Sequence, residues 1–370
     1  MKTPQQSDYR MPAEWELHEA TWLSWPHNIE TWPGKMEPIP GVWVEMIRHL
    51  TTGEKIHLNV NDEKMEKEAQ GLLKKADVDL KKVIFHRIVT DDCWMRDCGP
   101  IFVVKNPPQS PFFKGGGNQS PPLAKGGEGG FDKESLAITN WKFNKWGGKY
   151  PPWELDNAVP EKIEKELDIP AFKIDMVLEG GSIDVNGKGT LLTTEQCLLN
   201  KNRNPHLIKD QIEQYLKDCL GISHVLWLGD GITGDDTDGH IDDIARFVNP
   251  TTVVTAVEEN PHDENYKILQ DNLKRLQRMK DQNGNPLKII PLPMPGAVYY
   301  EGQRLPASYA NFYIANKVVL LPTYHHANDD RARAILQDFF PDRKVVGINA
   351  TDFVWGLGAF HCVTQQQPAI

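Results

Sequence analysis

Hydrophobic positions along this chain come in short runs of strand length, separated by longer stretches in which apolar residues recur every third or fourth position. Three segments, SIDVNGKGTLLTT (182–194), ARFVNPTTVVTAV (245–257) and NFYIANKVVLLPTY (311–324), each read as two β-rich runs around an Asn-containing turn, the pattern of a hairpin. The turn residues Asn186, Asn249 and Asn316 stand 63 and then 67 positions apart. Behind each hairpin comes an amphipathic helical pattern, PHLIKDQIEQYLKDCLG, NYKILQDNLKRLQRMK or DDRARAILQDFF, and then an apolar strand, HVLWLG, LKIIPLP or KVVGIN. The repeating unit is strand, strand, helix, strand.

A fourth copy is split. GPIFVVKN stops at Asn106, where its turn belongs, and its partner strand SLAITNWKF resumes at Ser135, followed by the helix AVPEKIEKELD and the strand FKIDMVL. Residues 107–134 between them hold two near-copies, QSPFFKGGG and QSPPLAKGGEGG, too rich in Gly and Pro to offset the entropy of ordering. This reads as a disordered duplication in a hairpin tip, where additions are best tolerated. The N-terminal pattern ATWLSWPH, GVWVEMIRHLTT, KIHLNV, EKMEKEAQGLLKKA, KVIFHRI makes a looser fifth module. Five such modules, each too small to fold alone, would stack around an axis as one α/β domain over 1–370. Closing that ring would bring the two chain ends together.

Composition narrows the class. With 39% hydrophobic and 25% charged residues the chain has the balance of a soluble globular protein with a large core. No stretch approaches the roughly eighteen apolar residues of a membrane span, and the opening MKTPQQSDYRMPAEWELHEA lacks the basic and apolar regions of a secretory signal. A cytoplasmic location without a membrane partner is therefore expected. Five scattered cysteines make no disulfide framework and should be reduced thiols. The formal charge of −10 argues against nucleic acid and suits a cationic ligand, while a homo-oligomer is left open.

The chemically loaded segments share one place in the repeat, after the closing strand of one module and before the hairpin of the next: TDDCWMRDCGP, LEGGSID, GDGITGDDTDGHIDD, RLPASYANF and VWGLGAFHCVTQQQP. Equivalent positions in a cyclic repeat converge on its axis, so Asp97, Glu179, His240, Asp242 and Cys362 are candidates for one central cavity. Each also has a plainer role: a core thiol for Cys362, a local ion pair with Arg96 for Asp97, a turn for Glu179, a surface loop for His240. His361 and Cys362 read as adjacent strand residues, which point to opposite faces, so the partner must come from elsewhere. His240 is the better candidate, with Gly239 allowing close approach and Asp242 on the same strand face. An EF-hand is excluded, because Ala245 stands where the bidentate Glu is needed. A transition-metal site has His and carboxylates to draw on, but no second His lies at helical or strand spacing from His240.

A cysteine with a histidine suggests nucleophilic catalysis. Acyl transfer develops an oxyanion that surrounding carboxylates would repel. A guanidinium is the opposite case, a planar cation whose N–H groups paired carboxylates accept. The constellation therefore favours thiolate attack on a guanidinium carbon.

The segments WMRDCGP, LEGGSID, DDTDGHIDD, ASYANFYIAN and HCVTQQQP resemble those of the agmatine deiminase family in the guanidine-modifying pentein superfamily. The resemblance runs from MPAEWELHEATWLSWPHN to HCVTQQQP and omits only the insertion. It implies a five-bladed α/β propeller of ββαβ modules and hydrolysis of agmatine to N-carbamoylputrescine and ammonia without metal or organic cofactor. It makes Cys362 the nucleophile, His240 the acid and then the base, Asp97 and Asp242 the grip on the guanidinium, and Glu179 the residue that orients His240 or the substrate. Trp94 would form a flat cation–π wall or serve the core. The chain departs from the family in Gly356-Leu357-Gly358-Ala359-Phe360, where Leu357 and Phe360 are expected to narrow or reline the entrance. The alternatives are another guanidine, such as free or peptidyl arginine, and a non-catalytic pentein binding module.

Overall fold

An antiparallel hairpin followed by a parallel third strand recurs around the molecule. The computed structural model describes residues 2–106 and 134–370. Asp184–Val185 pairs antiparallel with Thr190–Thr194, which runs parallel to His224–Leu228. The same order holds for Ala245–Asn249, Thr252–Val257 and Lys288–Pro293, and for Tyr313–Ile314, Val318–Thr323 and Lys344–Asn349. In the split copy Ile101–Lys105 pairs with Leu136–Lys142 and then Ala171–Val177, with Tyr9–Arg10 added at the edge. The expectation for 107–134 falls, apart from Glu134, outside the described residues.

The fifth blade is built from both ends of the chain. Gln365–Pro368 pairs antiparallel with His18–Ser24, which runs parallel to Lys55–Asn59 and through it to Val83–His86. The looser N-terminal module thus lacks only the first strand of its hairpin, and the C-terminus supplies it. A ring closed in this way leaves no terminal blade with an unpaired inner edge.

The connecting helices follow the predicted periodicity. Lys209–Leu220 turns Ile212, Leu216, Cys219 and Leu220 inward and ends at Gly221, whose φ of +63° suits the residue after a helix. Glu264–Leu276 is capped by Asp263, which accepts from the Asn265 amide, and buries Leu269 and Leu276. Full burial of such a leucine contributes about 1.5–3 kcal/mol. The turn asparagines do more than close hairpins. Asn316 donates from Nδ2 to the His18 carbonyl at 2.8 Å and accepts from the His18 amide at 2.9 Å, joining two blades. Asn186 likewise donates to the Pro250 carbonyl at 2.9 Å.

Three short helical turns, Met95–Cys98, Gly180–Ser182 and Ile241–Asp243, end the connections between modules and pack against one another. Two local expectations are corrected here. His240 precedes a helical turn, not a strand, so strand alternation does not set where it and Asp242 point. His361 and Cys362 also lie in a turn, and the final strand starts only at Gln365. Among the described residues no helix is long and apolar enough to cross a membrane.

Candidate active site

Cys362 is buried, as are the other four cysteines, and none forms a disulfide. Its sulfur accepts from Asn311 Nδ2 at 3.1 Å and lies 3.7 Å from Asp242 Oδ2. Burial, reinforced by Asp242, Asp243 and Asp97, pushes the thiol well above its usual range. In the free protein it is therefore protonated.

Asp97 and His240 form the second half of the cluster. Asp97 Oδ1 accepts from the Gly181 amide at 3.0 Å and stands 3.8 Å from His240 Nδ1, while Oδ2 accepts from Trp146 Nε1 at 2.9 Å. Burial lifts its pKa to about 6 against the pull of His240, with Asp242 and Glu179 adding to the rise. For His240 burial favours the neutral ring, but Asp97 foremost, with Cys197 and Asp242, outweighs it and keeps the ring charged. Neither ring nitrogen has a hydrogen-bond partner among the described residues. The three groups crowd around Gly181, where a Cβ would lie 2.6 Å from His240 Nδ1, 2.8 Å from Asp97 Oδ1 and 3.0 Å from Asp242 Oδ2. That contact accounts for the second glycine of LEGGSID.

Glu179 is fully buried and its Oε1 accepts from Arg203 Nε at 2.7 Å, leaving Oε2 without a partner among the described residues. Donor atoms of Glu179, Cys197 and His240 lie within 4.8 Å of one another, a donor set a transition metal would accept. The Arg203 guanidinium already neutralises that carboxylate, so a cation there would face a fixed positive charge.

The approach to Cys362 is a cavity of about 740 Å³ whose walls include Trp94, Trp146, Tyr150, Asp91, Asp92, Asp97, Asp236 and Leu357. Trp94 stacks on Trp32 at 5.7 Å and meets Trp146 edge-on. At Gly358 a Cβ would lie 2.5 Å from Trp94 Cζ3 and 3.2 Å from Cys362 Cβ, so a glycine lets this turn sit against the indole. Leu357 does line the entrance, at a φ of +66° that is unusual for leucine. Phe360 does not: it is fully buried and packs edge-on against Phe353 at 5.5 Å, a core residue rather than a lining one.

With that geometry in hand, the likeness to known proteins becomes specific. A profile of the family described as Porphyromonas-type peptidyl-arginine deiminase matches residues 10–368. A protein of Pseudomonas aeruginosa named agmatine deiminase is 36% identical over 390 aligned positions, covering 99% of this chain and 97% of its own. A solved structure described as the agmatine deiminase of Enterococcus faecalis catalysing its reaction superposes with a TM-score of 0.86 at 33% identity, covering 100% of this chain and 98% of that one. A C. jejuni agmatine deiminase with substrate bound superposes at 0.81 with 34% identity, covering 97% and 96%.

The chain belongs to this deiminase family. Its fold is the pentein fold of the agmatine deiminases, as the sequence pattern and motifs imply.

Membership leaves the chain's own partners to be read from its geometry. The structure brings together Asp97, Glu179, His240, Asp242 and Cys362, expected from their shared place in the repeat, and sets Trp94, which the resemblance had placed at the site, in the cavity wall. It adds Asn311, Arg203, Trp146 and Glu14, which that reasoning did not single out. Asn311 and Glu14 lay within quoted motifs, ASYANFYIAN and MPAEWELHEA, but nothing in their spacing announced a role. Arg203 and Trp146 sit outside the five segments and are recruited by folding alone. His361 is not simply turned away: its Nδ1 lies 2.7 Å from the same Asp242 oxygen that Cys362 approaches.

Proposed function

We propose that this protein is an agmatine deiminase, which hydrolyses agmatine to N-carbamoylputrescine and ammonia. The observation that carries the reading is a buried thiol faced by Asp97 and Asp242 at the end of an acid-lined cavity, in a chain related end to end to proteins of that name. The cavity wall favours agmatine over arginine. Asp91, Asp92 and Asp236 suit a distal ammonium and would repel an α-carboxylate. The two lysines of the wall are already paired, Lys145 with Asp156 at 2.8 Å and with Asp92 at 3.8 Å, and Lys149 with Asp238 at 2.8 Å, so Asp91 and Asp236 are the carboxylates less engaged by lysine.

In this reading Asp97 and Asp242 hold the guanidinium, which stays protonated at neutral pH. The bound cation offsets the carboxylates that keep Cys362 protonated, so the thiol releases its proton to solvent and thiolate forms as substrate binds. Sγ bonds to the guanidinium carbon, and the tetrahedral adduct collapses as a C–N bond breaks and ammonia takes a proton from His240. The resting imidazolium of His240 is the state this first step needs. Neutral His240 then takes a proton from water, whose oxygen adds to the amidino carbon. The C–S bond then breaks, the proton of the added oxygen passes to sulfur, and the ureido product leaves with the thiol and the imidazolium of His240 restored. Glu179 orients His240, and Trp94 lies along the cationic substrate.

The product is a precursor of putrescine, so the reaction would serve putrescine synthesis or agmatine breakdown in the cytoplasm. Ammonia release from a panel of agmatine, free arginine and a peptidyl arginine tests the reading. Release from agmatine well above the others is expected; preference for a peptidyl arginine would replace agmatine by the other guanidine class.

A further inference from the structure

His361 joins the active site to a buried ionic cluster. Nδ1 lies 2.7 Å from Asp242 Oδ2 and Nε2 lies 2.7 Å from Glu14 Oε2, and all three side chains are buried. An ionised carboxylate only accepts hydrogen bonds, and a neutral imidazole has one N–H and one lone pair. Two short bonds to two carboxylates therefore require two protons among three groups.

The surroundings decide where the second proton sits. Glu14 also accepts from the Ile314 amide at 2.7 Å and faces Arg246 at 2.9 Å and Arg96 at 3.4 Å. Burial works against its ionisation, yet Arg246, His361 and Arg96 together hold it well below the ordinary carboxylate range. Asp242 is held ionised too: the His361 bond, His240 and Arg246 outweigh its burial. Burial and the guanidiniums of Arg246 and Arg96 push the His361 ring towards neutrality. A neutral ring, however, would leave a lone pair facing a carboxylate across 2.7 Å, a worse arrangement than two charge-assisted hydrogen bonds.

We propose that His361 is a doubly protonated positioning residue: it ties Glu14 to Asp242, clamps Asp242 Oδ2, and leaves Asp242 Oδ1 as the acceptor for the guanidinium beside Cys362. Oδ1 is buried with no partner among the described residues, and its carboxylate faces the Cys362 sulfur through Oδ2 at 3.7 Å. The part played by Asp242 rests on the deiminase reading above; the protonation of His361 does not.

Nitrogen-15 spectra of histidine-labelled protein between about pH 6 and 9 test the proton count directly, since free histidines lose theirs near 6.5. His361, assigned by its loss in His361→Gln or through the backbone amide of Cys362, is expected to show two protonated nitrogens at pH 8. A neutral-ring pattern there would overturn the proposal, whether or not any guanidine is hydrolysed. The kinetic counterpart is Glu14→Gln, which keeps an acceptor for Nε2 but removes a charge. With agmatine its KM is expected to rise at least tenfold on the alkaline side, beginning at lower pH than in the parent, with kcat little changed. An equal loss of kcat at every pH would mean a purely structural role and would also count against the proposal. Should that variant not fold, the spectrum of the parent protein decides.

Discussion

Asn311 donates from Nδ2 to the Cys362 sulfur at 3.1 Å, while its Oδ1 accepts from the amides of His361 and Cys362 at 3.0 and 3.4 Å. One side chain from another blade thus holds the backbone of the thiol and offers its sulfur a donor. A donor to sulfur favours the thiolate. Asn311→Ala should therefore lower kcat about 10–100-fold, or roughly 1.4–2.8 kcal/mol of barrier. Alkylation of Cys362 at fixed pH should slow in parallel. Unchanged alkylation in a folded variant would show that the bond is not felt by the sulfur.

The pKa of Asp97, raised to about 6, sets a pH dependence. Below that pH the carboxyl is protonated in the free protein and loses its charge for the guanidinium; above it the charge is present. The value of kcat/KM for agmatine should rise with pH up to about 6, near tenfold per unit on the acid limb, and then level. Asp97→Asn should lower kcat/KM and abolish that limb; a limb that persists would assign it to another group.

Gly181 has no room for a methyl group between His240, Asp97 and Asp242. Gly181→Ala should cut kcat/KM by about 100-fold or more, because displacements near 1 Å in a catalytic cluster carry penalties of that order. Its melting temperature should fall by only a few degrees. Near-normal turnover would mean that the three side chains shift without cost.

Arg203 holds a fully buried carboxylate, that of Glu179, whose second oxygen has no partner among the described residues. Arg203→Met should destabilise the fold by about 3–5 kcal/mol, read by calorimetry, since it leaves an uncompensated buried charge. Adding Glu179→Leu should recover part of that stability while leaving activity lost. A double variant no more stable than the single one would show that Asp238, the other carboxylate bonded to Arg203, dominates the effect.

Leu357 lines the entrance with a left-handed backbone, a conformation that costs an ordinary residue roughly 1–2 kcal/mol. Leu357→Gly should hold or raise the melting temperature and improve kcat/KM for guanidines bulkier than agmatine. No change across a substrate panel would remove Leu357 from the control of entry.

The strands, helices and fivefold repeat were legible in the chain because each module buries one face, and burial writes its period into the order of apolar residues. The candidate site was legible for a related reason: Asp97, Glu179, His240, Asp242 and Cys362 occupy equivalent places in a cyclic repeat, and equivalent places meet at the axis. Which atoms meet there was decided only by the tertiary structure. Local turns overrode the strand alternation assumed around His240 and His361, because hydrogen bonds at the axis, not the pleat of a sheet, orient those residues. Glu14 reaches His361 across 347 positions and Asn311 reaches Cys362 across 51, and neither separation leaves a period to read. Phe360, set one residue before His361, was assigned to the entrance by its neighbours in sequence and to the core by its neighbours in space. Periodicity records which face of an element is dry; the partner of a buried charge is found only when distant elements have closed around it.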